Sequence, residues 1–202
     1  MIKLIWNLLG LVGLAVVAGL LWVMFSFGFG MQNIMDLQNL KSFDSKAGQV
    51  YMEMTKTLLS TGNSADATVW KIPVAEGLTP EDVEQTMRFV ANERNFKNVG
   101  ELPLSEQVAA MTGEAQRTWK IYMFCNPLTA AKMIDYADSF SAYLPCRISL
   151  VEDEAGKLWL YTLNMDMMIH GGRELPPDLL DEALGVKEII LDIMNRGAKG
   201  DF

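Results

Sequence analysis

A stretch of 32 residues near the N-terminus, residues 4–35, contains no charged side chain. An α-helix needs about 20 mostly apolar residues to cross the ~30 Å hydrocarbon core of a bilayer, and residues 4–28 supply them. The apolar run is longer than the core of a cleaved signal peptide, and no A-x-A cleavage site follows it. We therefore predict a retained single-pass transmembrane anchor over residues 1–30, with residues 4–28 in contact with lipid.

The charges that flank this anchor favour export of the domain that follows it. Lys3 and the terminal amine lie on the short N-terminal side, whereas Lys41 and Lys46 lie well beyond the apolar run. Positive charges close to a membrane end stay on the cytoplasmic side. We expect the soluble domain on the exported side, which is the periplasmic or extracytoplasmic side.

The rest of the chain has the composition of a water-soluble protein. Residues 31–64 show a broken helical periodicity, which predicts a helical stalk or linker, and residues 65–202 are enough for one domain with its own core. The net charge is −8, and no basic stripe is present to neutralise phosphates, which argues against a nucleic-acid partner. A C-x-x-C-H motif is absent, which excludes covalent attachment of c-type haem.

Short apolar runs alternate with helix-start signals along residues 65–202. The Thr79-Pro80-Glu81-Asp82 segment predicts a helix that begins with a capping box, and Asn126-Pro127 and Pro176-Pro177 predict two more helix starts. A short helix is expected at 104–111. Strands are predicted at 67–72, 96–102, 118–124, 146–151 and 158–163, and residues 165–169 continue the last strand or form another. This order predicts an α+β fold with helices on one face of a mainly antiparallel sheet, preceded by the transmembrane helix.

The two cysteines, Cys125 and Cys146, are predicted at the end of one strand and at the start of the next. A helix separates the two strands. In a right-handed β-α-β unit, the two cysteines would lie at opposite edges of the sheet, beyond the reach of a disulfide. We therefore expect no intrachain disulfide.

The residues with the strongest chemical character lie between positions 164 and 172. This segment holds His170, the single histidine of the chain, and three of its 14 methionines. Thioether and imidazole groups suit copper(I) or axial ligation of haem iron. In an extended strand Asp166, Met168 and His170 would lie on one face, so Met168 and His170 are candidate metal ligands.

The alternative interpretation of this segment is structural. Methionine is a common filler of cores, and a histidine before Gly-Gly is typically a turn residue whose ring nitrogen has a hydrogen-bond partner. The segment would then bind no cofactor, or it would contact a protein partner. The sequence favours the interpretation without a cofactor.

Cys125 and Asn126 are further candidates. Cys125 precedes a predicted helix N-terminus, where the helix dipole lowers the pKa of a thiol. A cysteine nucleophile also needs a base, and His170 is the only imidazole of the chain. Nothing in the sequence brings Cys125 and His170 together, so we predict no catalytic residue.

Four segments resemble the domain of unknown function 302 family. They are Phe124-Cys125-Asn126-Pro127, Leu144-Pro145-Cys146-Arg147-Ile148, the acidic turn at 151–157 and the aromatic strand at 158–161. The resemblance covers about residues 66–170. It implies a compact α+β domain similar to the TATA-binding-protein-like fold, sometimes dimeric, and it implies no activity. The chain departs from the family pattern in its anchor, in Cys125 where glycine is common, and in an additional C-terminal helix.

The sequence as a whole predicts a membrane-tethered, non-catalytic binding or accessory domain. Its expected partner is a membrane protein complex or a further copy of the same chain. The competing hypothesis is a metal- or haem-binding redox protein that uses Met168 and His170. An enzyme is the third and weakest hypothesis.

Overall fold

The structure is a computed structural model that describes residues 2–26 and 37–202. The chain divides into two compact units, Met1–Phe43 and Asp44–Phe202. Some predictions fall on residues 27–36 and lie outside the described residues. These are the end of the anchor (1–30, with lipid contact to 28) and the first part of the stalk (31–64).

The first unit contains helix α1, Ile2–Ser26, and a 3₁₀ helix, Leu37–Ser42. Within α1, the 18-residue window Leu9–Ser26 is apolar, and none of it is buried. Among the described residues, α1 is the one helix long and apolar enough to cross a membrane. Its length and composition are consistent with the predicted anchor.

The second unit begins with two helices that precede the sheet, α2 (Ala47–Thr61) and α3 (Ser64–Thr68). Helix α2 buries Ala47 and Val50. It ends at Gly62, which adopts a left-handed conformation and donates its N–H to the carbonyl of Leu58. Helix α2 lies within the range predicted as a stalk, and it belongs to the second unit.

A five-stranded antiparallel sheet with the order β1-β5-β4-β3-β2 lies at the centre of this unit. β-branched and aromatic residues make up 9 of the 20 residues in its three central strands, in line with strand propensity. The strands are β1 (Val69–Pro73), β2 (Lys97–Leu102), β3 (Trp119–Cys125), β4 (Cys146–Glu152) and β5 (Leu158–Leu163).

Five more helices surround the sheet, and a 3₁₀ helix (Asp138–Tyr143) follows the third of them. The first begins at the predicted capping box, in which Asp82 N donates to Thr79 Oγ1 at 3.2 Å and Thr79 N donates to Asp82 Oδ2 at 2.9 Å. The helices are α4 (Pro80–Glu93), α5 (Leu104–Thr112), α6 (Pro127–Tyr136), α7 (Met165–His170) and α8 (Pro177–Gly197).

The core lies between one face of the sheet and the helices α4 and α8. Five strand residues of this inner face are at most 1% exposed, namely Tyr122, Phe124, Ile148, Leu150 and Leu160. They belong to the same cluster as the buried side chains of α4 and α8. Among the described strand residues, none on the opposite face is buried. The predicted α+β class, with helices on one face of an antiparallel sheet, is therefore confirmed.

The prediction of a strand at residues 165–169 is wrong, because Met165–His170 forms helix α7. Asn164 caps this helix, since its Oδ1 accepts the N–H of Asp166 at 3.0 Å. A cap of this kind favours helix initiation over strand extension. Met168 and His170 consequently point about 200° apart around the helix axis and do not share a face.

The predicted placement of Cys125 and Cys146 at opposite edges of the sheet is also wrong. β3 and β4 are antiparallel neighbours, and Phe124 lies opposite Cys146. The connection holds α6 and the 3₁₀ helix, and it returns the chain to the end of β3 instead of crossing the sheet. Both cysteines are free thiols.

Helix α8 packs against α4 at Gly197, and it holds a second glycine, Gly185, that makes no such contact. The two glycines give a matched pair of substitutions. A Cβ atom on Gly197 would lie 2.6 Å from Met87 Cγ, whereas a Cβ on Gly185 would meet nothing within 4 Å. We expect Gly197→Ala to lower the free energy of unfolding by about 1–3 kcal/mol, because Met87 is fully buried and a packed core resists added volume.

Gly185→Ala is the control, because it tests the same residue change in the same helix without the contact. It should raise the free energy of unfolding by about 0.5–1 kcal/mol, since alanine restricts the unfolded chain and favours the helix. Urea denaturation followed by circular dichroism measures both changes. Equal effects of the two substitutions would contradict the close packing of α8 on α4.

Candidate functional site

His170 forms a buried hydrogen bond with Asp44. His170 Nδ1 lies 2.7 Å from Asp44 Oδ2, and the two side chains are 6% and 7% exposed. The hydrogen bond from His170 is the main cause that holds the pKa of Asp44 below its usual value, and the N–H of Lys46 adds to it. Because an ionised carboxylate only accepts hydrogen bonds, Nδ1 carries the proton that is shared with Asp44.

Backbone groups extend this contact into a clasp between residues 44–51 and the end of α7. Asp44 N donates to the carbonyl of Gly172 at 2.8 Å, and the hydroxyl of Tyr51 donates to the carbonyl of Gly171 at 2.7 Å. We call this set of contacts, with the Asp44–His170 pair, the Asp44 clasp. The interpretation of His170 as a turn residue with a partnered ring nitrogen fits this geometry.

Asp166 lies in the first turn of α7 and is also engaged. It forms an ion pair with Lys187 of α8, and the Lys187 ammonium lies 5.4 Å from the ring centroid of Trp70. Both ionic side chains remain about one quarter exposed. Asp166 therefore links α7 to α8 and does not face His170 in a shared site.

Met168, Cys125 and Asn126 do come together, around a small cavity between the end of β3, helix α6 and helix α7. The cavity has a volume of about 30 Å³ and an almost entirely apolar lining. Its sulfur-bearing lining residues are Cys125, Cys146, Met133, Met165 and Met168. We call it the sulfur-lined cavity.

The two thiols of this cavity are held in their protonated forms. Burial raises the pKa of Cys125, and burial together with the neighbouring Cys125 raises the pKa of Cys146 to about 11. This is the opposite of the lowered thiol pKa that the helix N-terminus suggested. Asn126 caps α6 by accepting the N–H of Leu128 at 3.0 Å, so its side-chain oxygen is already used.

A polar cluster that the sequence analysis missed lies between α4 and the strands β2 and β3. Lys120 Nζ lies 2.7 Å from Glu84 and 2.9 Å from Glu101, and Arg88 pairs with both carboxylates. The hydroxyl of Tyr122 donates to Glu84 at 2.8 Å. The only local signal in the sequence is the four-residue spacing of Glu84 and Arg88.

This cluster is balanced, because two cations face two anions. Burial opposes the charge of Glu101, but hydrogen bonds from Arg88 and Lys120 hold its pKa below the usual value. Burial and the hydrogen bond to Glu84 raise the pKa of Tyr122. The cluster therefore offers no free acid or base, and its contacts hold α4 to the sheet.

Within the described part of the chain, no group of three or more His, Cys, Asp or Glu side chains is placed to hold a metal ion. Met168 and His170, the predicted metal ligands, do not meet at one cavity. Met168 lines the sulfur-lined cavity, and His170 is committed to Asp44.

The outer face of the sheet, which points away from α4 and α8, is apolar, aromatic and cationic. One row of strand neighbours crosses all five strands, and it consists of Lys71, Tyr161, Ser149, Ile121 and Leu102. Further apolar residues of this face are Val69, Trp119, Met123, Val151, Trp159 and Leu163.

The strand residues of the outer face carry charges of one sign, and Asp153, which follows β4, accepts a hydrogen bond from the ring N–H of Trp159 at this face. Lys71, Lys97 and Arg147 are exposed there, and none of the described strand residues on this face is acidic. Tyr161, Ile121 and Arg147 border a shallow groove on it.

The Asp44 clasp predicts a large loss of stability on removal of its histidine. His170→Ala should lower the free energy of unfolding by about 3 kcal/mol, because it leaves the Asp44 carboxylate buried without its hydrogen-bond donor. Lys187→Met is the matched control. It removes the cation from Asp166, whose pair is partly exposed, and should change stability by less than about 1 kcal/mol. Equal losses in urea denaturation at pH 7 would contradict a buried pair.

The clasp also predicts a specific dependence on acid. The pKa of Asp44 is lower in the folded chain than in the unfolded chain. Its stabilising contribution is therefore fully present above about pH 5 and is lost as the pH falls through the folded pKa, below about 4. The difference in free energy of unfolding between the original chain and Asp44→Asn should shrink between about pH 5 and pH 2. A difference that grows on acidification would contradict the lowered pKa.

Comparison with known proteins finds one matching family and a similar solved structure. The family described as "Domain of unknown function DUF302" matches residues 70–196. A crystal structure of an uncharacterised conserved DUF302 protein from Bacillus stearothermophilus is similar, with a TM-score of 0.52 and 14% sequence identity, over 64% of this chain and 97% of that chain. None of the curated proteins matches. Helices α1 and α2 and residue Asp44 precede the matched segment, and from Trp70 to Arg196 the chain belongs to the DUF302 family.

Proposed function

We propose that this chain is a membrane-tethered, non-catalytic binding domain that associates with a membrane protein complex on the exported side of the membrane. The observation that carries the proposal is the outer face of the sheet. An antiparallel sheet that faces water usually alternates apolar and polar residues from one face to the other. Here the outer face is itself mostly apolar or aromatic, which is typical of an interaction surface.

The charge of the outer face favours a partner other than a second copy. The chain carries a net charge of −8, yet the outer face presents Lys71, Lys97 and Arg147 without a strand carboxylate among the described residues. Two outer faces stacked on one another would bring six cations together, and like charges across an interface are unfavourable. A partner with carboxylates around an apolar centre would complement this surface.

Helix α1 supports the membrane part of the proposal. None of its 18-residue apolar window is buried, and its length and composition match the requirement for a span. Attachment to the bilayer raises the effective concentration of the domain for partners in the same membrane. A weak outer-face contact would then be enough for association.

The non-catalytic part of the proposal rests on the pairing of the charged side chains. Asp44 is paired with His170, Asp166 with Lys187, and the two carboxylates of the α4 cluster with Arg88 and Lys120. General acid–base catalysis needs a group that is free to exchange a proton with substrate. These groups serve instead to hold helices to the domain.

The alternative function, metal or haem binding through Met168 and His170, has less support. The two side chains point about 200° apart on α7, and Asp44 occupies Nδ1 of His170. The cavity beside Met168 has a volume of about 30 Å³, which is far smaller than a haem.

The proposal predicts that a charge placed on the outer face abolishes association. The full chain is purified in mild detergent, and its co-purifying membrane proteins are quantified. Ile121→Glu should reduce the recovery of a stoichiometric partner at least about 10-fold, because it places a carboxylate at the centre of the buried contact. Tyr161→Ala, in the same row of strand neighbours, should also reduce the recovery of the partner.

Leu128→Glu is the control, because Leu128 is 77% exposed on α6, away from the outer face. It should leave recovery of the partner unchanged. Circular dichroism and thermal unfolding show that each variant folds. A partner retained by Ile121→Glu, or a chain that is monomeric and without partner in mild detergent, would contradict the proposal. A homo-oligomer disrupted by Ile121→Glu would identify a second copy as the occupant.

A further inference from the structure

The sulfur-lined cavity gathers both cysteines of the chain and three of its 14 methionines. Cys146, Met165 and Met168 line both this cavity and a second, adjoining one, so these three side chains form the wall between the two. Met165 and Met168 are three residues apart on α7, a spacing that places both on one side of the helix. Cys125 follows Phe124, the strand neighbour of Cys146.

The size of the cavity decides what class of ligand it suits. One buried water needs about 10–15 Å³ on the same measure, so a cavity of about 30 Å³ admits one or two guests of that size. An acyl chain or an aromatic metabolite is larger than this space. A buried water needs two to four polar partners, and the lining is almost entirely apolar. A single ion that prefers sulfur to oxygen matches both the volume and the lining.

We propose that the sulfur-lined cavity is a binding site for one soft monovalent metal ion, copper(I), held by the Cys146 thiolate and the thioethers of Met165 and Met168, with Cys125 at its mouth. Thiolate and thioether ligands favour copper(I), and thiolates also favour zinc and iron–sulfur clusters. Zinc takes its protein ligands from Cys, His, Asp and Glu, so the two thioethers favour copper(I). Methionine has three rotatable bonds, so both thioethers adjust to the ion without displacement of α7.

Charge balance favours this ion over a divalent one. Binding converts one Cys146 S–H and one Cu⁺ into a neutral S–Cu unit and releases one proton, with no change in oxidation state. A neutral unit avoids the free-energy penalty of an unpaired buried charge. A divalent ion would need both thiolates, Cys146 and Cys125, to reach the same neutrality, and the cavity lining holds no histidine or carboxylate to complete its ligands.

The site is independent of the outer face and of the Asp44 clasp. Its ligands lie at the edge of the helix-covered side of the sheet, and His170 takes no part in it. Failure of copper(I) binding would therefore leave the proposed association through the outer face standing, and loss of a partner would leave the metal site standing.

The test is an anaerobic titration of the full chain, in detergent and in reduced form, with copper(I) against the chelator bathocuproine disulfonate. We expect one copper(I) per chain. Cys146→Ser should weaken the affinity at least about 100-fold, because loss of a ligand exceeds the 10- to 100-fold effect of an outer-shell partner. The double variant Met165→Leu and Met168→Leu should also weaken it, and leucine preserves the volume of the core.

Met123→Leu is the matched control, because Met123 lies on the outer face and does not line the cavity. Its affinity for copper(I) should equal that of the original chain. X-ray absorption of the copper-loaded original chain should show sulfur ligands alone, a measurement that does not depend on how the variants fold. Nitrogen or oxygen ligands, a stoichiometry well below one, or an affinity unchanged in Cys146→Ser would each overturn the proposal.

Discussion

Burial of a single face of the sheet determines how the rest of the domain is arranged. The inner face places Tyr122, Phe124 and Leu150 against α4 and α8, and each fully buried side chain of this size contributes about 1.5–3 kcal/mol. Because strand side chains alternate, the same register sends Ile121, Met123 and Val151 outward. The apolar outer face is thus fixed in position by the core, although nothing in the core requires it to be apolar.

The Asp44 clasp shows how this member extends the family fold. The family match begins at residue 70, and α2 and Asp44 come before it. The first polar side chain of the second unit, Asp44, is buried against the only histidine of the chain. A buried charge is tolerated only with a partner, so this pair specifies where residues 44–51, at the start of the second unit, pack against α7. The compact second unit therefore begins at Asp44, well before the family match begins at residue 70.

Local signals in the sequence were enough to predict much of this fold. Helix α4 begins at Thr79 and Pro80 because the capping box is contained in four residues, and α6 begins after Asn126 for a similar reason. The six residues of α7 were predicted as a strand, because a short apolar run has no decisive periodicity. There the Asn164 cap determined the outcome.

Contacts that join distant parts of the chain could not be predicted in the same way. Asp44 and His170 are 126 residues apart, and no spacing rule links them. Cys125 and Met168 were each identified for separate chemistry, and only the position of α7 beside the end of β3 brings them to one cavity. The sequence indicated which side chains carry chemistry, but the partners of those side chains depend on the tertiary fold.

Helix α7 is where these distant contacts meet. It is only six residues long, about 9 Å, and its side chains point in three directions. Asp166 pairs with α8, Met165 and Met168 line the sulfur-lined cavity, and His170 holds Asp44. A helix this short has no stability of its own, so its geometry is maintained by these three contacts and by the Asn164 cap. The position of Met168 in the sulfur-lined cavity and the contacts of the Asp44 clasp therefore depend on the same short helix, although the cavity and the clasp share no residue.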